Sequence, residues 1–159
     1  MATVYIETSV PSYYFETRQT EKATAWRAAT REWWDAHRHG DQLQTLQVVI
    51  AELSQAPVVK GRKALQLLDG IPILPEPEGL AKVVEYYLEQ RLMPVEGSEG
   101  DAYHLAMASM NSMDYLLTWN CRHLANANKV RHISVVKQRL GLHVPIVTTP
   151  LTLIPEDEG

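Results

Sequence analysis

The sequence predicts an α/β protein, a three-layer α/β/α sandwich with a mostly parallel central sheet. Strand-like and helix-like segments alternate along the 159 residues, and this alternation is typical of βαβ units. The composition, with 45% apolar and 21% charged residues, is that of an average globular protein. Because this length is about that of one domain, we expect a single domain over residues 1–159.

The N-terminal segment predicts the first strand, because the residues from Thr3 to Ile6 alternate as in a half-buried strand. Glu7 therefore comes at the carboxyl end of a strand, and Pro11 directs the chain into a turn. Residues 21–39 then predict an amphipathic helix ended by Gly40, with small and aromatic residues three and four positions apart. These residues are Trp26, Ala29, Trp33 and Ala36.

The middle of the chain repeats the order of strand and helix. Residues 43–50 predict a strand that runs into a helix, which carries Glu52 and is closed by Pro57. The next predicted elements are a short helix ended by Gly70, a short strand and a longer amphipathic helix. They cover residues 60–69, 71–74 and 78–91.

The last third of the chain predicts two more helices and two more strands. Ser98 and Asp101 have the spacing of a capping box, so a helix should begin there and run to about Met113. Residues 115–118 are apolar enough for a buried strand. A helix over residues 122–140 and a strand over 145–149 complete the alternation.

Several classes of protein are excluded by what the sequence lacks. No apolar run approaches the ~20 residues of a membrane span, and the N-terminus has neither the basic region nor the apolar region of a secretory signal. The single cysteine, Cys121, forms no intramolecular disulfide and no thiolate-rich metal site. We therefore expect a cytoplasmic protein without membrane contact.

Charge is distributed unevenly, although the net charge is −4. Sixteen of the nineteen carboxylates lie at or before Asp114, and the other three are in the tail at 156–158. The stretch between them carries only basic charge, which predicts either phosphate contacts with RNA, through Arg122, Lys129 and Arg131 above all, or a solvated helix face. Its basic residues are Arg122, Lys129, Arg131, Lys137 and Arg139, with His123, His132 and His143.

Four polar residues share a position in the predicted topology. Glu7, Glu52 and Asn120 come at or shortly after strand ends, and Asp101 opens a helix. Because ligands bind outside the carboxyl ends of parallel strands, we expect these four side chains to converge. Simpler roles are open to some of them: Asp101 completing a capping box, Asn120 capping a helix that begins at Cys121, and Glu7 pairing with a surface lysine.

Four sequence blocks resemble the signature blocks of PIN-domain nucleases, especially the VapC-like toxins of type II toxin–antitoxin systems. The resemblance extends over nearly the whole chain. The blocks are Val4–Tyr13, Val49–Leu53, Gly100–Ala106 and Leu116–Asn120. The resemblance implies an α/β/α sandwich with an acidic pocket that holds Mg²⁺ or Mn²⁺, and an enzyme that hydrolyses RNA phosphodiesters. It also implies a homodimer inhibited by a cognate antitoxin.

The resemblance assigns Glu7, Asp101 and Asn120 as metal-facing groups and Glu52 as a metal ligand or water-orienting base. Thr8, Ser9 and Thr118 would orient them by hydrogen bonding. Oxygen donors of this kind suit hard divalent cations. Most members of the family have aspartate where this chain has Glu7 and Asn120, so we expect weaker metal binding and weaker catalysis.

Other chemistries fit the sequence less well. An aspartyl phosphatase requires an aspartate nucleophile where this chain has Glu7, and His37 and His39 lack a third partner for zinc. The dinucleotide-binding fingerprint is missing. The alternative to the nuclease is a PIN-like module that binds RNA or an antitoxin without cleaving, because Asn120 brings no negative charge.

Aromatic residues predict further contacts. Tyr13, Tyr14 and Phe15 follow the first acidic block, where they would either stack on unpaired bases or pack in the core. Trp33 and Trp34 cannot both face one narrow helix stripe. The pair therefore either packs in the core, the commoner case for such residues, or leaves one indole to bind an antitoxin helix or a second subunit.

Overall fold

The computed structural model describes residues 1–90, 99–122 and 124–154, without the side chains of 99 and 127–130. Among these residues, none of the helices combines the length and apolar character needed to span a membrane. The strands are β1 (Thr3–Ile6), β2 (Gln42–Gln44), β3 (Tyr115–Leu117) and β4 (Ile146–Thr148). The α-helices are α1 (Ser9–Tyr14), α2 (Glu21–Glu32), α3 (Gln47–Ser54), α4 (Val58–Leu67), α5 (Leu80–Glu89), α6 (Glu99–Met110) and α7 (Ala127–Arg139).

The four strands form one parallel sheet in the order β2-β1-β3-β4, which confirms an α/β fold. In the register of the central pair, Ile6 lies opposite Leu117. The chain leaves β1 on one side to form β2 and later returns on the other side to form β3. In an open α/β sheet, ligands usually bind outside the carboxyl ends of the strands at such a change of direction, which here lies between β1 and β3.

Most predicted elements are present, but four of them differ from the prediction in type or in extent. The sequence predicts a turn at Pro11, but Pro11 lies inside α1. Proline is tolerated there because it falls in the first turn of the helix. The predicted strand at 71–74 is only a single parallel bridge between Thr45 and Ile73. The predicted helix at 122–140 begins later, at Ala127, and the helix from Asp101 ends at Met110 rather than Met113. Ser98, the predicted cap, lies outside the described residues.

The end of α2 explains how two adjacent tryptophans are buried together. The helix continues as a π-helix over Trp33–His37, followed by a 3₁₀ turn over Arg38–Gly40. A π-helix has more residues per turn than an α-helix, so neighbouring side chains diverge less in direction. Both Trp33 and Trp34 are at most 2% exposed and meet edge to face. The prediction that one of these indoles is left for a partner is therefore wrong.

The core lies between the sheet and the helices, and the apolar residues of β1, β3 and α6 form part of it together with residues of the other helices. Tyr5 in β1 and Leu105 in α6 are both fully buried. The core also contains a lysine, because Lys137 of α7 is 0% exposed. Lys137 thus cannot contact phosphate, which corrects its assignment to the basic surface. Ala36, predicted on the buried stripe of α2, is exposed.

Candidate functional site

Glu7 continues directly from β1 and is fixed by its neighbours. Its backbone N–H donates to the carbonyl of Leu117 at 3.1 Å, which extends the β1–β3 ladder beyond the strand. The side chain is only 8% exposed. Its Oε2 accepts hydrogen bonds from the Thr118 hydroxyl at 2.8 Å, the Ser9 backbone N–H at 3.0 Å and the Ser9 hydroxyl. No described residue donates a hydrogen bond to Oε1 of Glu7.

Thr118 and Ser9 join the ends of the two central strands. The Thr118 hydroxyl donates to Glu7 and accepts the backbone N–H of Asn120 at 3.0 Å. The Ser9 hydroxyl in turn accepts the backbone N–H of Trp119 at 2.8 Å. These bonds set the path of the chain after β3 relative to Glu7, as expected for groups that orient a site.

Glu52 reaches the same region from α3, the helix that follows β2. One carboxylate oxygen, Oε2, accepts a hydrogen bond from the Thr8 hydroxyl, and Thr8 is the residue directly after Glu7. The other, Oε1, lies 3.7 Å from Nε2 of His104. The side chain of Glu52 is 40% exposed, so the carboxylate remains open to solvent. His104 is the main cause that lowers the pKa of Glu52, which therefore stays ionised at neutral pH.

Asp101 and Asn120 are bound to each other. The side-chain amide of Asn120 donates from Nδ2 to Oδ1 of Asp101 at 2.9 Å, and both residues are half-buried. Asn120 does not cap a helix, because α7 begins at Ala127. Its backbone carbonyl instead accepts N–H groups from Leu124 and Ala125 in the intervening turn.

Hydrogen bonds thus connect the predicted site residues around the carboxyl end of β1. One series runs from Glu7 through Thr118 and the backbone of Asn120 to Asp101. Glu52 joins through Thr8. The structure links the four residues through these hydrogen-bonded neighbours, which belong to elements far apart in the sequence.

The donor set matches a hard divalent cation in its chemistry, although the side chains do not form a closed cluster. Within the described ranges, no three His, Cys, Asp or Glu side chains are close enough to form a metal-binding group. All the available ligand atoms are nevertheless oxygens, as Mg²⁺ and Mn²⁺ require. Glu7 Oε1 has no donor among the described residues, and Glu52 is partly exposed.

Tyr5 and His104 lie beneath the carboxylates, and the sequence analysis gave them no role. The Tyr5 hydroxyl and Nδ1 of His104 share a hydrogen bond, and both residues are buried. Burial raises the pKa of Tyr5 well above its usual value, and the charges of Glu7 and Glu52 add to this effect. A signal was present in the sequence: His104 comes three residues after Asp101, which places both on one face of α6.

The aromatic residues near the site pack mainly on one another. Trp119, next to Asn120, stacks on Trp26 with ring centroids 4.5 Å apart, and Tyr13 contacts Trp26 at 5.2 Å. Tyr14 donates to Asp35 at 2.9 Å. The three aromatics predicted to stack on bases or pack in the core are all half-buried against the core. They are Tyr13, Tyr14 and Phe15.

Part of the basic stretch that the sequence predicts to contact RNA is exposed to solvent. Arg122, Arg131 and Arg139 are exposed. Lys22 extends over the Trp26 ring, with Nζ 4.6 Å from the centroid, and adds a cation that the sequence analysis did not include. The side chain of Lys129 and the whole of His123 lie outside the described residues.

Comparison with known proteins gives no family assignment: no protein-family model matches the chain, and no curated protein matches it. The parallel sheet and the contacts around Glu7 therefore carry the functional proposal. The resemblance of the four sequence blocks to PIN-domain nucleases is a further reason for the proposal.

Proposed function

We propose that the protein is a PIN-like endoribonuclease that uses Mg²⁺ or Mn²⁺ to hydrolyse RNA. The observation that carries the proposal is the hydrogen-bonded set of Glu7, Glu52, Asp101 and Asn120 at the carboxyl end of β1. By the same proposal the fold is a three-layer α/β/α sandwich. The resemblance to VapC-like toxins further suggests a cytoplasmic homodimer paired with an antitoxin.

The side chains have distinct parts in this chemistry. Glu7, Asp101 and the amide oxygen of Asn120 would hold the cation, with Glu52 as a further ligand or as a proton acceptor. The bound ion supplies positive charge against the negative charge that develops on the phosphate. Ser9 and Thr118 keep Glu7 in one orientation. Glu52, ionised and partly exposed, can accept a proton from an attacking water.

One contact favours the alternative, a binding module without hydrolysis. Asn120 already donates its amide to Asp101, and this bond satisfies the carboxylate without any metal. The amide N–H of Asn120 thus faces the Asp101 carboxylate where a metal ion would otherwise do so, and this hydrogen bond stabilises the metal-free protein. RNA or an antitoxin would then bind the same edge of the sheet without being cleaved.

Cleavage of a fluorescent single-stranded RNA during a Mn²⁺ titration tests the proposal. We expect Mn²⁺-dependent cleavage by the wild type, and its loss in Glu7→Gln and Asp101→Asn, which remove a ligand charge while keeping the side-chain size. The matched control is Glu85→Gln, an exposed carboxylate on α5 that should leave cleavage unchanged.

Two results would decide against metal-dependent hydrolysis at this site. Cleavage that persists in EDTA or in both site variants would mean a contaminating nuclease or a different site. RNA binding without cleavage at any Mn²⁺ concentration would support the binding module instead.

A further inference from the structure

We propose that Tyr5 and His104 form a positioning pair for Glu52. In this pair the Tyr5 hydroxyl fixes the His104 proton on Nε2, and the resulting N–H holds Glu52 in place. The functional consequence rests on the proposed role of Glu52 in the site, whereas the hydrogen-bond arrangement can be tested without it.

The tautomer of His104 follows from the surroundings of Tyr5. The Tyr5 side chain is fully buried, and a phenol with an ordinary pKa of about 10 carries its proton at neutral pH. Across the described residues, the only acceptor within reach of this hydroxyl is Nδ1 of His104. A buried hydroxyl that fails to donate is costly, so Tyr5 donates and Nδ1 accepts. In a neutral imidazole the proton then resides on Nε2.

The proton on Nε2 faces the candidate site. Nε2 lies 3.7 Å from Oε1 of Glu52, while the Thr8 hydroxyl binds the other oxygen. At 3.7 Å the contact is longer than a hydrogen bond, so His104 restrains Glu52 by electrostatic attraction rather than by a fixed bond. The opposite tautomer would direct a lone pair at the carboxylate and repel it.

Two donors from opposite sides therefore limit the conformations of an exposed side chain. Thr8 approaches from the end of β1, and His104 approaches from α6. His104 is only 3% exposed, so it is itself held rigidly by the core. A rigid donor behind a flexible carboxylate is the arrangement expected where a ligand or base must be preorganised.

The first experiment reads the tautomer directly, by ¹⁵N NMR of the His104 ring at neutral pH in the metal-free protein. We expect a protonated Nε2 and an unprotonated Nδ1 in the wild type, and a mixture of the two tautomers in Tyr5→Phe. A protonated Nδ1 in the wild type, or an unchanged spectrum in Tyr5→Phe, would overturn the proposal.

The second experiment compares His104→Gln, whose amide N–H can reach the position of Nε2, with His104→Leu, which has no donor. We expect His104→Leu to shift the Glu52 carboxyl ¹³C resonance and to weaken binding of Mn²⁺ alone by about ten-fold, the usual effect of losing a group that orients a ligand. His104→Gln should restore both readouts.

Circular dichroism and melting temperature control for folding in both variants. If the two variants lose stability equally and leave both the Glu52 resonance and Mn²⁺ affinity unchanged, His104 only satisfies Tyr5 and the proposal is wrong. The proposed nuclease function fails separately. If the wild type shows the expected tautomer and Glu52 shift but does not cleave RNA, the positioning pair stands and hydrolysis does not.

Discussion

Replacing Lys137 with methionine should stabilise the protein, and the gain should depend on pH. The Lys137 ammonium is fully buried, and Nζ donates to the Tyr87 hydroxyl at 3.0 Å and to the Leu105 carbonyl at 3.3 Å. Nζ also lies 5.0 Å from the centroid of the Tyr87 ring. In the described part of the chain, no carboxylate forms an ion pair with Lys137. Burial therefore lowers the pKa of this lysine to about 7.

The sign of the pH dependence follows from this lowered pKa. In the unfolded chain a lysine has a pKa of about 10.4, so between pH 7 and that value the unfolded state binds more protons. The free energy of unfolding contributed by Lys137 must rise with pH over this window. The cost of burying it is largest below pH 7, where the lowering of the pKa from about 10.4 to about 7 corresponds to roughly 4 to 5 kcal/mol.

Methionine has a similar length and carries no charge, so it avoids this cost. We expect Lys137→Met to raise the free energy of unfolding by about 2 to 4 kcal/mol at pH 6, since part of the gain is lost with the two hydrogen bonds. At pH 10 the difference should vanish or reverse. Urea unfolding followed by tryptophan fluorescence at several pH values measures it.

Lys82→Met is the matched control, because Lys82 is an exposed lysine on α5, the helix that carries Tyr87. The control should change stability by less than about 0.5 kcal/mol at every pH. If the Lys137→Met difference were independent of pH between 6 and 10, Lys137 would not change protonation on unfolding. The reasoning from burial to a lowered pKa would then be refuted.

Three further changes test the site and its surroundings. Asn120→Asp removes the 2.9 Å bond to Asp101 and brings two carboxylates together, so the metal-free protein should lose about 1 to 3 kcal/mol while Mn²⁺ affinity rises about ten-fold, measured by melting and calorimetry. The carboxyl of Glu16 has its pKa lowered to about 2 by hydrogen bonds from Arg18, so its stabilisation is present above pH 4.5 and is lost toward pH 2. Glu16→Gln should therefore cost about 1 to 2 kcal/mol at pH 7 and nothing near pH 2 in urea unfolding. Charge reversal at Arg122 should weaken RNA binding and flatten its dependence on salt in a filter-binding assay. If the wild type and the variant bind RNA equally at ~50 and at ~200 mM salt, Arg122 makes no phosphate contact.

The fold was predictable where local pattern decides the structure. The alternation from Thr3 to Ile6 and the apolar run at 115–117 gave two of the four strands directly, because the period of a strand is visible in a few residues. The position of Pro11 was not predictable, because proline suits both a turn and the first turn of a helix. Lys137 lies four residues after Ile133 on the buried stripe of α7, so the sequence did contain a sign of its burial.

The site was predictable only in part. The rule that ligands bind at strand ends identified Glu7, Glu52 and Asn120 without knowledge of their partners. The contact between Tyr5 and His104 joins positions 99 residues apart, and no local pattern encodes such a pairing. The amide of Asn120 bound to Asp101 likewise depends on how α6 meets the end of β3.

The pairing of β1 with β3 also determines when the site can exist. Val4 pairs with Tyr115, so the centre of the sheet closes a loop of more than one hundred residues and depends on contacts of high sequence separation. During synthesis, a chain that ends before Tyr115 already contains Glu7, Glu52 and Asp101 but lacks Thr118 and Asn120, which link Asp101 to Glu7. A nascent or prematurely terminated chain therefore carries these acidic residues without the link between Asp101 and Glu7. The candidate site is complete only after the segment 115–120 has left the ribosome and paired with β1.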